Sequence, residues 1–380
     1  MKKLIAILLA LVLVVGLVAC AAKPAEEPAP AETTEPAATT EAAPEAAPEA
    51  APEATGAKKT IYVLAPNPDH GWTGAIGVFA QEYVDELNAA GEVEAILQTF
   101  ATADDQIKQI EDIIANNPGD GSVGVAMLPA GNDLENAIRS LADAGIPYTA
   151  ADRIIPSVAD TAVSNIKYDN VEIGAAAASW LTDQGLKEGD KVVVIEGDGS
   201  SADTDRTDGF NKYLLGEVEY NGKKIETPWT DLSTVSYSGA TGWNPANSQT
   251  YFETYLSNAD NADTKYIAAW DSGLAQGVFQ ALDGSAIDEA TKEAFLANEP
   301  YITGCGGPQS IYDLIAGDYT AFPSAERFAD IMDVTYPPAM IQATIQALVD
   351  YFNGVEVPQD NTQSAQCVTA DNVADFVGFE

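Results

Sequence analysis

From Thr60 onward, short apolar runs alternate with longer segments whose apolar residues recur every three or four positions. Thr60–Ala65 reads as a buried strand ending in the turn Pro66-Asn-Pro-Asp-His-Gly71. Trp72–Asn88 then reads as a helix with Ile76, Phe79, Ala80, Tyr83 and Leu87 on one face. Val93–Phe100 is a second strand, and Thr102 offers an N-cap to a helix carrying Ile107, Ile110, Ile113 and Ile114. Val123–Leu128 and Asn132–Ala144 repeat the strand–helix pair. Gly145 suits a helix stop and Pro147 the first residue of a short buried strand that ends at Asp152-Arg153. A fifth strand follows at Thr161–Ile166.

The pattern then restarts. Val171–Gln184 reads as a helix, Lys191–Ile195 as a strand, and Thr207–Leu215 as a helix opened by the loop Glu196–Arg206. Strands near Leu232–Tyr237, Tyr266–Trp270 and Tyr301–Cys305 alternate with helices Ala246–Asn258, Gly273–Leu282 and Gln309–Ala316. The late amphipathic helix Ala339–Phe352 is expected to pack back onto the first half. Such alternation predicts an α/β fold of two doubly wound parallel-sheet lobes with a cleft between them.

The amino terminus lies outside this pattern. Lys2 and Lys3, the apolar run Leu4–Leu17 and then Val18-Ala19-Cys20 make residues 1–20 a secretory signal. The ending Leu17-Val-Ala-Cys20 resembles a bacterial lipobox, in which Cys20 is lipidated and anchors the chain to a membrane. Residues 21–57 are a Pro/Ala/Glu tether around the repeat Glu-Ala-Ala-Pro. Its regular prolines forbid helix and its glutamates repel one another, so an extended spacer is expected.

About 320 of the 380 residues remain, enough for two lobes. The net charge of −40 argues against nucleic acid and anionic lipid surfaces as partners. Of three cysteines, Cys305 and Cys367 remain once Cys20 carries lipid, and in an oxidising compartment a disulfide between them is expected.

Ligands of open α/β sheets gather beyond the carboxyl ends of strands, where Asp152 and Arg153 stand. A carboxylate that accepts two hydrogen bonds beside a guanidinium fork can grip vicinal hydroxyls without adding net charge. The other reading is an ion pair that merely caps a neighbouring helix. His70 is the only histidine, so zinc lacks partners, and no Gly-x-Ser-x-Gly elbow supports a hydrolase triad. Glu196-Gly-Asp-Gly-Ser-Ser lacks the lysine of a phosphate loop, and Asn258–Asp263 lacks the glycine and closing glutamate of a calcium loop. No catalytic residue, metal or cofactor is expected.

In the order and spacing of its motifs the chain resembles the type I periplasmic binding proteins, and among them the ribose/galactose-type sugar-binding components of ATP-driven (ABC) transporters. The motifs are Ile61–Ala65 with its loop to Trp72, Ile146-Pro147…Asp152-Arg153, Asp169-Asn170-Val171…Gly174, Ile195-Glu-Gly197…Arg206-Thr-Asp-Gly209-Phe210, Trp243-Asn-Pro-Ala246…Gln249, Ala269-Trp-Asp271…Gly277 and Ile302-Thr-Gly304. The resemblance implies a three-segment hinge, with lobes of 58–167 plus 335–357 and 168–334 plus 358–380. It places His70 and the clamp Asp152-Arg153 on the first lobe's side of a sugar. Arg206 and Asp271 stand across from them, and Trp72 and Trp243 stack above and below. Thr73, Leu128 and Gly306 depart from the ribose-binding pattern, and the Trp270–Gly273 and Gly304–Gly307 stretches resemble the autoinducer-2 and rhamnose branch. The implied function is a monomeric, lipid-anchored extracellular protein that captures a neutral carbohydrate for a transporter permease. The alternative partner is a membrane kinase, which would make the chain a sensor.

Overall fold

The computed structural model describes residues 58–379 apart from 69, 70 and 118. The expected signal, tether and Cys20 lie outside the described residues, as does His70. The first eight elements follow the expected alternation: β1 (Lys59–Pro66), α1 (Gly71–Ala90), β2 (Val93–Phe100), α2 (Ala103–Asn116), β3 (Val123–Met127), α3 (Glu135–Asp143), β4 (Tyr148–Ala151) and β5 (Ser164–Tyr168). The second series runs α4 (Asn170–Asp183), β6 (Val192–Ile195), α5 (Ser201–Leu214), β7 (Val235–Tyr237), α6 (Pro245–Ser257), β8 (Tyr266–Ala269) and α7 (Ser272–Asp283). It continues with α8 (Glu289–Leu296), β9 (Tyr301–Gly306), α9 (Gln309–Ile315) and β10 (Asp330–Thr335), and the chain ends with α10 (Met340–Phe352), β11 (Asp360–Gln363) and β12 (Cys367–Val368). The sequence pattern did not reveal α8, β10, β11 or β12.

Two six-stranded sheets result, ordered β11-β5-β4-β3-β1-β2 and β12-β10-β9-β8-β6-β7. The β10–β12 ladder is antiparallel and the other ladders are parallel. β3, β4, β6 and β8 are buried at every residue, as expected of strands covered by helices on both faces. The Thr102 hydroxyl and Asp105 carboxylate start α2 with a capping box. α10 packs on β3, β4 and β5, as expected for a helix returned to the first lobe.

The chain passes between the sheets three times: after β5, after β10 and after β11. The third passage lies later than expected. Asp360–Gln363 pairs with Asn165–Tyr168 of β5, so the stretch just after residue 357 still belongs to the first sheet. Its composition, Asp-Asn-Thr-Gln, carries little strand signal, and backbone hydrogen bonding at a sheet edge holds it instead.

The expected disulfide is absent. Cys305 and Cys367 are free thiols. Both stand opposite Val334, Cys305 from β9 and Cys367 from β12, with β10 between them. Two strand spacings put them roughly 9–10 Å apart, beyond the limit of about 7 Å at which Cα atoms can be bridged. An even pair of cysteines in one compartment does not ensure that a strand will not separate them.

Within the second lobe α4 and α5 cross at glycines. A Cβ at Gly174 would overlap the Arg206 carbonyl, and one at Gly209 the Val171 carbonyl. This close crossing seats α5 and therefore Arg206. Two results are expected. Thiol titration of residues 58–380 under denaturing, non-reducing conditions should find two thiols per chain, and none would restore the bridge. Gly174→Ala should lower unfolding stability in denaturant by about 1–3 kcal/mol through overpacking.

Candidate ligand-binding site

The predicted site residues stand beyond the carboxyl ends of the strands of both sheets: Trp72 after β1, Asp152 and Arg153 after β4, Arg206 on α5 after β6, Trp243 after β7 and Asp271 after β8. Two of them carry backbone strain. Asp152 (φ 60°) and Trp243 (φ 58°) adopt the left-handed region, which is unfavourable for residues with a Cβ and above all for tryptophan. Such strain persists only where the surroundings over-determine it, and it tends to collect at binding sites.

Arg206 lies at the centre and is only 3% exposed. Its Nε donates to Asn170 Oδ1 at 2.9 Å, and Nη1 donates to the Trp270 carbonyl. The guanidinium carbon lies over the Tyr336 ring at 4.7 Å from its centroid and over the Trp243 ring at 5.5 Å. Burial alone would depress its pKa, but Cys305, Tyr336, Asp271 and Asp152 around it hold the group above its ordinary value. Its acidic sequence neighbours Asp203, Asp205 and Asp208 form no ion pair with it. Asp203 instead accepts the Gly197 and Gly199 amides at 2.8 and 2.7 Å, while Asp208 pairs with Lys212. By tying down that turn Asp203 lets α5 begin at Ser201, six residues earlier than expected, which puts Arg206 on its second turn.

Asp152 is paired differently from the expected clamp. Its side chain is 7% exposed and accepts the Tyr336 hydroxyl on Oδ1, while the Arg153 Nε stands 3.7 Å from Oδ2. Arg153, 36% exposed, donates from Nη1 to the Ala130 carbonyl at 2.8 Å. It also faces Asp198 of the second lobe. Burial would raise the Asp198 carboxyl, yet Ser200, Trp243 and the Arg153 charge hold it below its usual value.

Tyr336, just beyond β10, was missed by the sequence reading and ties the cluster together. Its carbonyl accepts Trp72 Nε1 at 2.6 Å, and its ring lies 5.2 Å from the rings of both Trp72 and Tyr168. Burial and the Asp152 charge push the phenol well up, so it stays a proton donor. Tyr336 and Arg206 thus link Trp72 to Trp243 through a series of ring and guanidinium contacts. Trp270, by contrast, is core: its Nε1 donates to Thr207 Oγ1 at 2.8 Å and its ring packs edge-on against Phe210.

The floor is acidic. Asp271 Oδ1 accepts the Gly273 amide at 2.7 Å and caps α7, and burial pushes this carboxyl up to about 6. Beneath it Asp333 is fully buried and takes the Ser272 hydroxyl at 2.7 Å, while its Oδ2 has no partner among the described residues. Burial pushes Asp333 up to about 7.

Residues 61–356 match the family described as periplasmic binding protein domain. The chain belongs to that family. This is a family of binding proteins, not of enzymes, and both six-stranded lobes fit its type I fold. No curated protein sequence matches the chain. Its fold is similar to that of a galactofuranose-binding protein (15% identity, TM-score 0.63, covering 83% of this chain and 96% of that one). It is also similar to the arabinose ABC transporter component of Shewanella sp. ANA-3, bound to L-arabinofuranose (15%, TM-score 0.62, 83% and 94%). A third similar structure is an ABC transporter solute-binding protein of Bacillus halodurans C-125 with bound myo-inositol (18%, TM-score 0.63, 85% and 98%).

The buried carboxyls make a pH dependence. In the unfolded chain aspartates ionise near 4, whereas the folded chain keeps the protons of Asp271 and Asp333 up to about 6 and about 7. Over that window the folded state binds more protons than the unfolded state, so stability falls as pH rises and levels off above it. Melting temperature should therefore drop between pH 5 and pH 8, and Asp333→Asn should flatten the drop. An equal drop in the variant would show that Asp333 is not responsible.

Proposed function

We propose that this protein captures a neutral sugar or polyol between its lobes and delivers it to the membrane permease of an ATP-driven transporter. A lipid on Cys20 and the acidic tether would hold it at the outer face of the membrane. The observation that carries the reading is the single buried guanidinium of Arg206. It lies among Asp152, Asp271, Trp72, Trp243 and Tyr336, which offer hydroxyl-binding groups framed by ring faces. Neutral sugars and polyols are also what the similarly folded binding proteins hold, among them arabinofuranose, myo-inositol and D-allose. On this reading Asp152 and Arg206 hold ring hydroxyls, Trp72 and Trp243 cover the ring, and His70 adds a polar contact from the β1–α1 loop.

Arg206 draws its partners from the crossings themselves: Asn170 follows the first and Tyr336 the second. A ligand that adds contacts present only when the lobes are closed shifts the population toward closure, and the permease reads that form.

A thermal-shift panel of galactose, arabinose, allose, allitol and myo-inositol tests the reading. A true ligand at about a hundred times its Kd should add about 2.7 kcal/mol of stability. Asp152→Asn and Arg206→Lys should each weaken its binding by about 1–3 kcal/mol, because a buried polar partner is left unmatched. Stabilisation by an amino acid or nucleoside, with none by any sugar or polyol, would overturn the ligand class.

A further inference from the structure

Tyr336 takes up the groups that the proposed function assigns to the sugar. Its hydroxyl donates to Asp152 Oδ1, and the Arg206 guanidinium carbon lies over its ring at 4.7 Å. Its ring also stands 5.2 Å from that of Trp72, tilted by 35°. A sugar held by Asp152 and Arg206 and covered by Trp72 would use the same three partners. One flat ring bearing one hydroxyl thus makes a sugar-like set of contacts from within the chain. The set is closed to a newcomer, because Arg206, Tyr336 and the Asp152 side chain are all buried. Something has to move before a ligand reaches them.

Tyr336 is the group with room beside it. It is a wall of a cavity of about 530 Å³ at the hinge, which Tyr168, Gly307, Tyr312 and Phe376 also line. Cavities of about 300–1,000 Å³ hold whole small molecules, and a phenol ring is smaller than most of these. None of the lining residues among those described is charged, so a ring that turns toward it displaces no ion. Tyr312, itself buried, has no hydrogen-bond partner for its hydroxyl among the described residues. Pro337 restricts the backbone of Tyr336, so the move falls to the side chain and its rotamers.

We infer that Tyr336 competes with the sugar for Asp152, Arg206 and Trp72, so that the sugar binds only where the Tyr336 ring has turned out of their midst. The inference rests on the proposed sugar-binding function and gives Tyr336 a part opposite to that of a contact residue. The measured Kd is then the intrinsic one divided by the fraction of molecules in which the ring has turned away. Selectivity follows as well. A ligand displaces Tyr336 only if it replaces both the hydroxyl bond and the ring contacts, and one lacking either is held back.

Calorimetric titration of the whole folded domain with galactose, arabinose, allose and myo-inositol tests it, in wild type, Tyr336→Phe and Tyr336→Ala. For the ligand that binds, Tyr336→Phe should tighten binding at least about threefold, because the competing state loses a hydrogen bond to a carboxylate. Tyr336→Ala should tighten it at least about tenfold, because the competing ring is gone. Without added sugar both variants should melt at a lower temperature than wild type. Unchanged or weaker binding by Tyr336→Phe makes Tyr336 an ordinary contact, overturns the inference and leaves the sugar-binding function standing. If no sugar or polyol binds wild type or either variant, the proposed function fails and the inference with it. Tyr336→Phe keeps the ring, and it decides the matter even where Tyr336→Ala does not fold.

Discussion

A guanidinium that cannot shed its charge has been placed where two sheets meet, and much of the surrounding structure answers to that constraint. An unpaired buried cation costs several kcal/mol, so Arg206 must be surrounded on every side. Asn170 and the Trp270 carbonyl accept its hydrogen bonds, the Tyr336 and Trp243 rings lie beneath its guanidinium carbon, and Asp271 and Asp152 supply opposite charge nearby. The supports lie further out. The Gly174–Gly209 crossing lets α5 approach α4, and Asp203 closes the turn on which α5 begins.

These partners come from different stretches of chain, and that couples the site to the hinge. Asn170 and Tyr336 follow two of the passages between lobes, and Tyr336 also holds Asp152 and Trp72 of the first lobe. One apolar cluster runs through both sheets, with Trp72, Tyr168 and Trp243 packed at its margin. In the proposed function, a change in how Arg206 is satisfied would therefore bear on the angle between the lobes without a separate relay.

The sequence reading failed where chemistry and strand signal conflicted. β10 reads Asp-Ile-Met-Asp-Val-Thr, and its acids masked a central strand whose residues Ile331 to Val334 are buried. Tyr336 was lost with it. A signal did exist: every earlier helix legible in the sequence follows a strand, so the segment before α10 called for one, and Tyr336-Pro337-Pro338 marks its end. β11 left no such trace, because an edge strand of Asp, Asn, Thr and Gln is held by backbone bonds alone.

Local periodicity was enough to predict two β/α lobes, the succession of their elements up to the missed ones, and the strand ends beyond which the candidate site residues stand, because these follow from short-range burial patterns. The carboxylate and guanidinium of Asp152-Arg153 were likewise legible as chemistry at a strand end. Which partner each would take was not. Tyr336 claims Asp152 from 184 residues away, Arg206 is buried and not paired with its acidic neighbours, and β10 holds Cys305 and Cys367 apart. Those outcomes depend on which strands lie side by side and how closely helices cross. Only the packed chain sets these, since the same local sequence is compatible with several partners until the sheets are assembled.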